Sequence, residues 1–184
     1  MRHRNTAART GRITGGCDHQ RQHIPAGFDF DNSPFSYQVD RVKDAKICVT
    51  TTNGTVALRR SLSAEKVFVG AFLNISSVVR ALKTWSSDVI VVCAGWKGKP
   101  NLEDTLFAGA LIDELVGQYS VADDAALIAW KQYHVASSDL VTAVKHSSHV
   151  NRLMGLGIEK DISFCLERDR YDVLPYLQGD KLVL

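Results

Sequence analysis

The sequence predicts an α/β fold built on a mostly parallel sheet. Short β-rich runs alternate with longer helical stretches, which is typical of consecutive βαβ units. Residues 88–94 (DVIVVCA) form a continuous, β-branched apolar run, as expected for a central strand covered on both faces. A glycine-rich turn at residues 95–100 then leads into an amphipathic stretch, so the strand-to-helix order is maintained.

The elements follow from the same patterns in chain order. The predicted strands are residues 46–51, 66–71 and 88–94, with weaker candidates at 162–167 and 181–184. The predicted helices are residues 53–64, 74–83, 102–119, 121–134, 138–146 and 149–155. Residues 1–23 show no periodicity and are predicted to be a disordered or non-native leader. Residues 24–184 then form one α/β domain.

Charge and cysteine usage exclude several classes of protein. The net charge of +2 comes from arginines near the start of the chain, and the remainder is slightly acidic. Without basic clusters on folded elements, we expect no nucleic-acid partner. No apolar run approaches the about 18 residues of a membrane span, so we expect no membrane partner. The four cysteines are widely spaced without a CxxC pair, which favours a reducing, cytoplasmic location over disulfides or zinc.

One candidate anion site lies where the first predicted strand passes into its helix. The segment reads TTTNGT over residues 50–55 and includes Thr51, Thr52, Asn53, Gly54 and Thr55. Hydroxyls, a glycine and free helix N-terminal amides together suit a phosphate or carboxylate. The same residues also suit a plain helix start, with Thr52 or Asn53 as the cap. The residues alone leave both interpretations open.

A candidate metal site follows the predicted central strand. Glu103 and Asp104 lie in the first turn of the next helix, after Asn101. Magnesium takes hard oxygen ligands and usually only one or two carboxylates. The alternative is a capping box between Asn101 and Asp104, with both acids as favourable partners of the helix dipole.

Two further segments carry polar side chains suited to binding. Residues 27–34 (GFDFDNSP) offer Asp29 and Asn32 as oxygen ligands, or else form a structured turn. Arg152 suits a carboxylate or sulfonate, or else lies on a solvated helix face. The P-loop, GxGxxG and GxSxG motifs are absent, as are the acyl-phosphate and thiol-phosphatase motifs of covalent phosphatases. Attack by water activated at a metal is the chemistry that remains.

Several blocks of the chain together resemble one family. GFDFDNSP, ICVTTTNGTVAL, VFVGAFLNISSVVRAL, VIVVCAG, LEDTLFAGALIDEL and SSHVNRLMGLGIEKDISFC look like successive blocks of the 2-phosphosulfolactate phosphatases, over roughly residues 24–175. The resemblance implies a three-layer sandwich, with helices on both faces of a mostly parallel or mixed sheet. It also implies a magnesium-dependent enzyme that converts 2-phosphosulfolactate to 3-sulfolactate and phosphate, on the route to coenzyme M.

The resemblance also implies roles for the candidate residues. Three carboxylates would hold Mg²⁺: Asp29, Glu103 and Asp104. Polar residues would bind the small phosphorylated acid: Asn32, Thr51, Thr52, Asn53, Gly54, Thr55, Asn74 and Arg152. None of these is predicted to be the general base.

The start of the chain departs from this family. Its members begin with a strand and turn resembling DVLRATT, which supplies an aspartate and an arginine, and residues 1–14 do not match it. We therefore expect an N-terminally incomplete domain that lacks its catalytic residue and has little activity. The alternative is an inactive remnant that binds small anions or a partner subunit. A homo-oligomer joined through an unpaired sheet edge is a further expectation.

Overall fold

The computed structural model describes residues 13–15, 27–148, 150–151 and 159–184. Helices and short strand pairs of both directions occur in these ranges, so the fold is α/β in general. The chain divides into two compact units, Met1–Thr52 and Asn53–Leu184. No helix among the described residues is long and apolar enough to cross a membrane.

The first unit contains one pair of parallel strands. Strand β1 (Ile13–Gly15) pairs with β2 (Ile47–Val49), which confirms the strand predicted at residues 46–51. Strand β1 lies within residues 1–23, the segment that the sequence patterns predict to be a disordered or non-native leader. The rest of that segment lies outside the described residues. The described residues between the strands, 27–46, include two short 3₁₀ turns, Pro34–Tyr37 and Asp40–Val42.

The second unit is mainly helical. Its α-helices are α1 (Gly54–Arg60), α2 (Ile75–Lys83), α3 (Leu102–Leu115), α4 (Asp124–Ala136), α5 (Leu140–Val144) and α6 (Glu159–Cys165). The first five confirm predicted helices, although each is shorter than its apolar pattern. The predicted helix at residues 149–155 lies largely outside the described residues. Strands β3 (Tyr176–Gln178) and β4 (Lys181–Val183) form an antiparallel hairpin, which confirms the strand predicted at 181–184.

The core of the second unit depends on a close approach of α3 and α4. Leu106 and Ala110 of α3 are almost fully buried, and Tyr133 of α4 packs in the same cluster. A Cβ atom added at Gly109 would lie 2.1 Å from the carbonyl oxygen of Ala129. Glycine at this position therefore lets the two helix backbones come into contact, which explains the small residues in the LEDTLFAGA block.

The prediction of a central strand at residues 88–94 is wrong for this structure. The run has no regular secondary structure, and no strand pairs with it among the described residues. Val89 and Val91 pack against the core, whereas Ile90 is 86% exposed and Val92 is 53% exposed. A β-branched run favours extended backbone, but strand formation also needs the hydrogen bonds of a neighbouring strand. The prediction that both faces are covered is therefore wrong for this structure.

Two other strand predictions also differ from the structure. Within residues 66–71, only Phe68 forms a β-bridge, to Tyr176, so this segment is a short antiparallel contact with β3. Residues 162–167 were predicted as a strand from alternating apolar side chains, but they begin inside α6. Ile162 and Leu166 are also spaced four residues apart, which is the helical repeat, and Leu166 N–H donates to Ile162 O at 3.2 Å. A short apolar run therefore does not distinguish the two-residue repeat of a strand from the repeat of a helix.

Candidate functional site

A tight turn precedes the two carboxylates predicted to hold a metal. Trp96 N–H donates to Lys99 O at 2.9 Å, and Lys99 N–H donates to Trp96 O at 3.0 Å. The two central residues, Lys97 and Gly98, have φ values of 50° and 72°. Positive φ at both central positions is typical of the two-residue turn that matches strand twist. The turn confirms the prediction for residues 95–100 and fixes how the chain enters α3.

Asp104 joins this turn to the start of α3. Its Oδ2 atom accepts a 2.7 Å hydrogen bond from the backbone N–H of Gly95. Asn101 is the N-cap residue of α3, but its side chain makes no capping hydrogen bond among the described residues. The predicted capping box between Asn101 and Asp104 is therefore not formed, because the Asp104 carboxylate is turned toward the turn instead. Asp104 positions the turn and keeps its charge at the helix N-terminus.

Glu103 and Asp161, an acid that the sequence patterns do not single out, each have an enclosed carboxylate oxygen. One carboxylate oxygen of Glu103, Oε2, is enclosed by protein. Asp161, the third residue of α6, is only 9% exposed, and its Oδ2 atom has no hydrogen-bond partner among the described residues. Aspartate is rarely this buried without a partner, because removing a carboxylate from water is costly.

The pKa of the Cys165 thiol is affected by the charges of both acids. Burial, with the nearby charges of Asp161 and then Glu103, raises the pKa of Cys165 from 9.0 to about 11, although part of this residue reaches solvent. Two helices, α3 and α6, thus bring two carboxylates into electrostatic range of one sulfur. In the sequence, Asp161 lies directly before the apolar alternation ISFCL and two residues after Glu159.

A second thiol lies at the other acid of α3. The Sγ atom of Cys93 lies 3.5 Å from the backbone oxygen of Asp104. Burial of the sulfur, and then the charge of Asp104, raises the pKa of Cys93. The residue as a whole is exposed. Cys48, Cys93 and Cys165 are not joined by a disulfide in the described part of the chain.

The predicted anion-binding segment spans the boundary between the two units. Thr51 is partly buried and Thr52 is exposed at the end of the first unit. Asn53 is the N-cap residue of α1, and its side chain makes no capping hydrogen bond within the described part of the chain. Gly54 and Thr55 form the first turn of α1. Side-chain capping by Asn53 is therefore not observed, and anion binding stays a prediction.

The polar loop of the first unit is a structured turn, as one interpretation predicted. Asp31 Oδ1 accepts hydrogen bonds from Ser33 N–H at 3.0 Å and from Ser36 Oγ at 2.6 Å. Asp29 Oδ1 lies 2.5 Å from Arg41 Nη2, so its charge is already paired. Asn32 is exposed. A metal ion at Asp29 would have to compete with this arginine, and both ligand predictions stay untested.

Asn74 is buried and bonded to the backbone. Its Oδ1 atom accepts from Ala71 N–H at 2.8 Å, and its Nδ2 atom donates to the carbonyl oxygens of Val69 and Val173 at 3.1 Å each. These bonds hold the start of α2 against the C-terminal segment, which is a structural task. Contact between Asn74 and substrate stays a prediction, and Arg152 lies outside the described residues.

Comparison with known proteins identifies the family. Residues 5–180 match the family described as 2-phosphosulpholactate phosphatase. The chain belongs to this family. The match begins before residue 24, so it includes most of the segment that the sequence patterns treated as a leader.

Several relatives carry the name probable 2-phosphosulfolactate phosphatase. One from Caldanaerobacter subterraneus subsp. tengcongensis is 39% identical over 154 residues, which are 83% of this chain and 64% of the relative. One from Thermotoga petrophila is 36% identical over 91% of this chain and 72% of the relative. One from Synechococcus is 40% identical over 82% of this chain and 64% of the relative. The match thus spans less than two thirds of the length of some of these relatives.

The donors at α3 and α6 fit a hard divalent cation. Carboxylate oxygens are the ligands that magnesium prefers, and Asp161 presents a buried oxygen without a partner in the described part of the chain. No group of three or more metal-ligating side chains occurs among the described residues. A cation bound by the described residues would therefore have fewer than three such ligands, and magnesium usually takes only one or two carboxylates, with water and substrate completing its shell.

Proposed function

We propose that this chain is a magnesium-dependent phosphatase that hydrolyses 2-phosphosulfolactate, or a similar 2-phospho carboxylic acid, to 3-sulfolactate and phosphate. The observation that carries the proposal is the family match over residues 5–180. The names of the relatives support the phosphatase activity and the class of substrate. The carboxylates at the start of α3 support a bound magnesium ion. A dianionic phosphate needs positive charge beside it, and a cation held by these carboxylates would supply that charge.

The protein residues at this site have separable tasks. Glu103 and Asp104 would hold magnesium, which when bound supplies positive charge to the phosphoryl oxygens. Gly95 N–H orients the Asp104 carboxylate, and Asp104 in turn fixes the 96–99 turn. Cys93 and Cys165 have raised pKa values, so both remain protonated at neutral pH and are poor nucleophiles. This supports direct hydrolysis: a water oxygen bonds to phosphorus, the ester P–O bond breaks, and a proton passes to the leaving oxygen.

Substrate binding is proposed from the sequence patterns. Thr51, Thr52, Asn53, Gly54 and Thr55 would bind the phosphate. Asn32 and Arg152 would contact the carboxylate or sulfonate, and Asp29 remains a predicted third ligand. The backbone hydrogen bonds of Asn74 give it a structural task, so the proposal does not depend on this residue.

Other features are proposed on the family resemblance. We infer a three-layer sandwich with helices on both faces of the sheet, a cytoplasmic location, and a small phosphorylated acid as partner rather than nucleic acid. The exposed apolar side chains of Ile90 and Val92 support a homo-oligomer, since another copy of the chain could cover them.

A phosphate-release assay tests the proposed substrate class. The chain is incubated in Mg²⁺ with 2-phosphosulfolactate, 2-phospholactate, 3-phosphoglycerate and p-nitrophenyl phosphate. We expect release that is fastest from the 2-phospho acids. Fastest release from 3-phosphoglycerate would contradict the 2-phospho preference. Absence of release from all four, with calorimetric binding of 2-phosphosulfolactate, would instead support the inactive anion-binding remnant.

A further inference from the structure

Helix α1 begins with an asparagine followed by a glycine. Asn53 is the N-cap residue, and Gly54 is the first helical residue. The Asn53 side chain makes no capping hydrogen bond within the described residues, so the helix start does not hold its amide group. The N–H of Gly54 is one of the first four of the helix, which have no acceptor inside it. Both residues are partly exposed, so water reaches this pair.

Two other helices begin with asparagine and provide a comparison. Asn74 is the N-cap residue of α2, and its amide group is bonded to the backbone through both its oxygen and its nitrogen. Asn101 is the N-cap residue of α3 and, like Asn53, makes no capping hydrogen bond with its side chain in the described ranges, but it is buried. Bulky residues follow both, Ile75 and Leu102, and no asparagine except Asn53 precedes glycine in the sequence.

Glycine after asparagine removes the main obstacle to attack on the side-chain amide. With no Cβ atom, glycine leaves its backbone nitrogen open and lets the backbone rotate toward the neighbouring side chain. A leucine or isoleucine side chain shields that nitrogen. Asn53 thus combines three conditions that Asn74 and Asn101 do not combine: an amide without a capping hydrogen bond, partial exposure and a glycine neighbour.

We propose that Asn53–Gly54 is a site of spontaneous deamidation, and that its modification adds a negative charge to the segment that binds the substrate phosphate. The modification itself is independent of the proposed function. Its effect on activity rests on the proposed role of residues 51–55 in phosphate binding.

The reaction needs no reagent except water. The backbone nitrogen of Gly54 bonds to Cγ of Asn53, the Cγ–Nδ2 bond breaks, and ammonia leaves with the proton from the Gly54 nitrogen. Water then adds to one of the two carbonyl carbons of the cyclic imide, and the nitrogen takes back a proton as that C–N bond breaks. Opening at Cγ gives aspartate, and opening at the main-chain carbon gives isoaspartate. Both products carry a carboxylate where asparagine was neutral.

The new charge should weaken phosphate binding more than it changes stability. A carboxylate at position 53 repels a phosphate dianion held by residues 51–55, because like charges at close range raise the free energy of the complex. Aspartate caps a helix about as well as asparagine does, so α1 keeps its start in the aspartate product. Asn53→Asp reproduces that product and should raise KM several-fold, while the melting temperature stays near that of the wild type.

Peptide mass spectrometry of aged protein tests the site without any need for turnover. The full chain is incubated at pH 8.5, because base removes the proton from the attacking nitrogen, and in parallel at pH 6. Deamidation is read as the mass gained when NH₂ is replaced by OH. We expect conversion at Asn53 that is faster at pH 8.5 and that exceeds conversion at Asn101. Gly54→Ala, which suits a helix and restores a Cβ atom, should slow conversion several-fold.

Ion-exchange separation of the same aged sample tests the effect on the proposed site. The deamidated protein carries an additional negative charge and elutes apart from the unmodified protein, and mass spectrometry verifies both fractions. Phosphate release from 2-phosphosulfolactate in Mg²⁺ is measured for each fraction, and calorimetry with inorganic phosphate gives the affinity without turnover. We expect the modified fraction to show a several-fold higher KM and weaker phosphate binding.

The outcomes separate the site, its effect and the proposed function. Equal conversion at Asn53 and Asn101, or in the wild type and Gly54→Ala, would overturn the site. Conversion at Asn53 with unchanged KM and phosphate affinity, and the same result for Asn53→Asp, would overturn the effect. Conversion at Asn53 without phosphate release by the fresh wild type would contradict the phosphatase and would still support the deamidation site.

Discussion

The carboxylate of Asp104 accepts a 2.7 Å hydrogen bond from the backbone N–H of Gly95, nine residues earlier in the chain. This hydrogen bond joins the residue that follows the apolar run at 88–94 to the first turn of helix α3. Gly95 has φ of 65°, and a Cβ atom there would lie 2.5 Å from Lys99 O. The turn therefore depends on glycine at position 95 and on the carboxylate of Asp104 in the helix that follows.

Asp104→Ala should destabilise the second unit, whereas Asp104→Asn should not. Alanine leaves Gly95 N–H without its acceptor, and hydrogen bonds to charged groups contribute about 1.5–3 kcal/mol. Asparagine keeps an acceptor oxygen in the same place. The free energy of unfolding, from urea titration, measures both variants. Equal stability of the alanine variant and the wild type would show that this hydrogen bond does not hold the turn in solution.

Gly109→Ala should lower the melting temperature. Alanine has the higher helix propensity, by about 1 kcal/mol, so propensity alone predicts the opposite sign. The added methyl group would meet Ala129 O at 2.1 Å and must separate α3 from α4. Overpacking of this kind costs about 1–3 kcal/mol. Differential scanning calorimetry gives the sign directly, and an increased melting temperature would contradict the close helix contact.

The thiol of Cys165 should react slowly at neutral pH and faster in strong alkali. Its pKa of about 11 keeps it protonated, and the thiolate is the reactive form. Asp161→Asn removes one of the charges that raise this pKa, so labelling at pH 8.5 should accelerate. Iodoacetamide labelling followed by peptide mass spectrometry reads each cysteine separately. The Glu159→Gln variant serves as the control, and equal rates in all three proteins would mean that Asp161 does not lie beside the sulfur.

The same shift predicts how stability changes with pH. The folded state holds the Cys165 proton more tightly than the unfolded state, where the pKa is 9.0. Its contribution to stability is therefore complete below pH 9 and is lost as the pH rises toward about 11. Cys165→Ser should flatten the alkaline limb of a plot of unfolding free energy against pH. An unchanged limb would contradict the raised pKa.

Ile90→Lys should reduce self-association without loss of fold. Ile90 is 86% exposed in a run that lacks a paired strand among the described residues. A lysine on an edge strand opposes pairing with another chain. Val89→Lys is the matched comparison, since Val89 packs against the core and should cost stability. Light scattering over a range of concentrations measures the mass, and identical masses for wild type and Ile90→Lys would argue against association at this edge.

The sequence predicted the helices better than the sheet for a physical reason. Helix α2 and the turn at 96–99 follow from local periodicity and turn residues, which act within a few positions. A strand at residues 88–94 depends on a partner elsewhere in the chain, which local sequence does not reveal. The candidate site divides in the same way. Glu103 and Asp104 are adjacent in sequence at a predicted helix start, whereas the burial of Asp161 is evident only from the folded chain.

Release of phosphate from 2-phosphosulfolactate, measured first with Mg²⁺, then with excess EDTA, and again after Mg²⁺ is restored, tests the central claim most directly. Carboxylates at the start of α3, protonated thiols and the family match all support hydrolysis at a metal. We expect that phosphate release stops in EDTA and returns when Mg²⁺ is restored. We also expect that the Glu103→Gln variant releases no phosphate. Release that continues undiminished in EDTA would contradict the account.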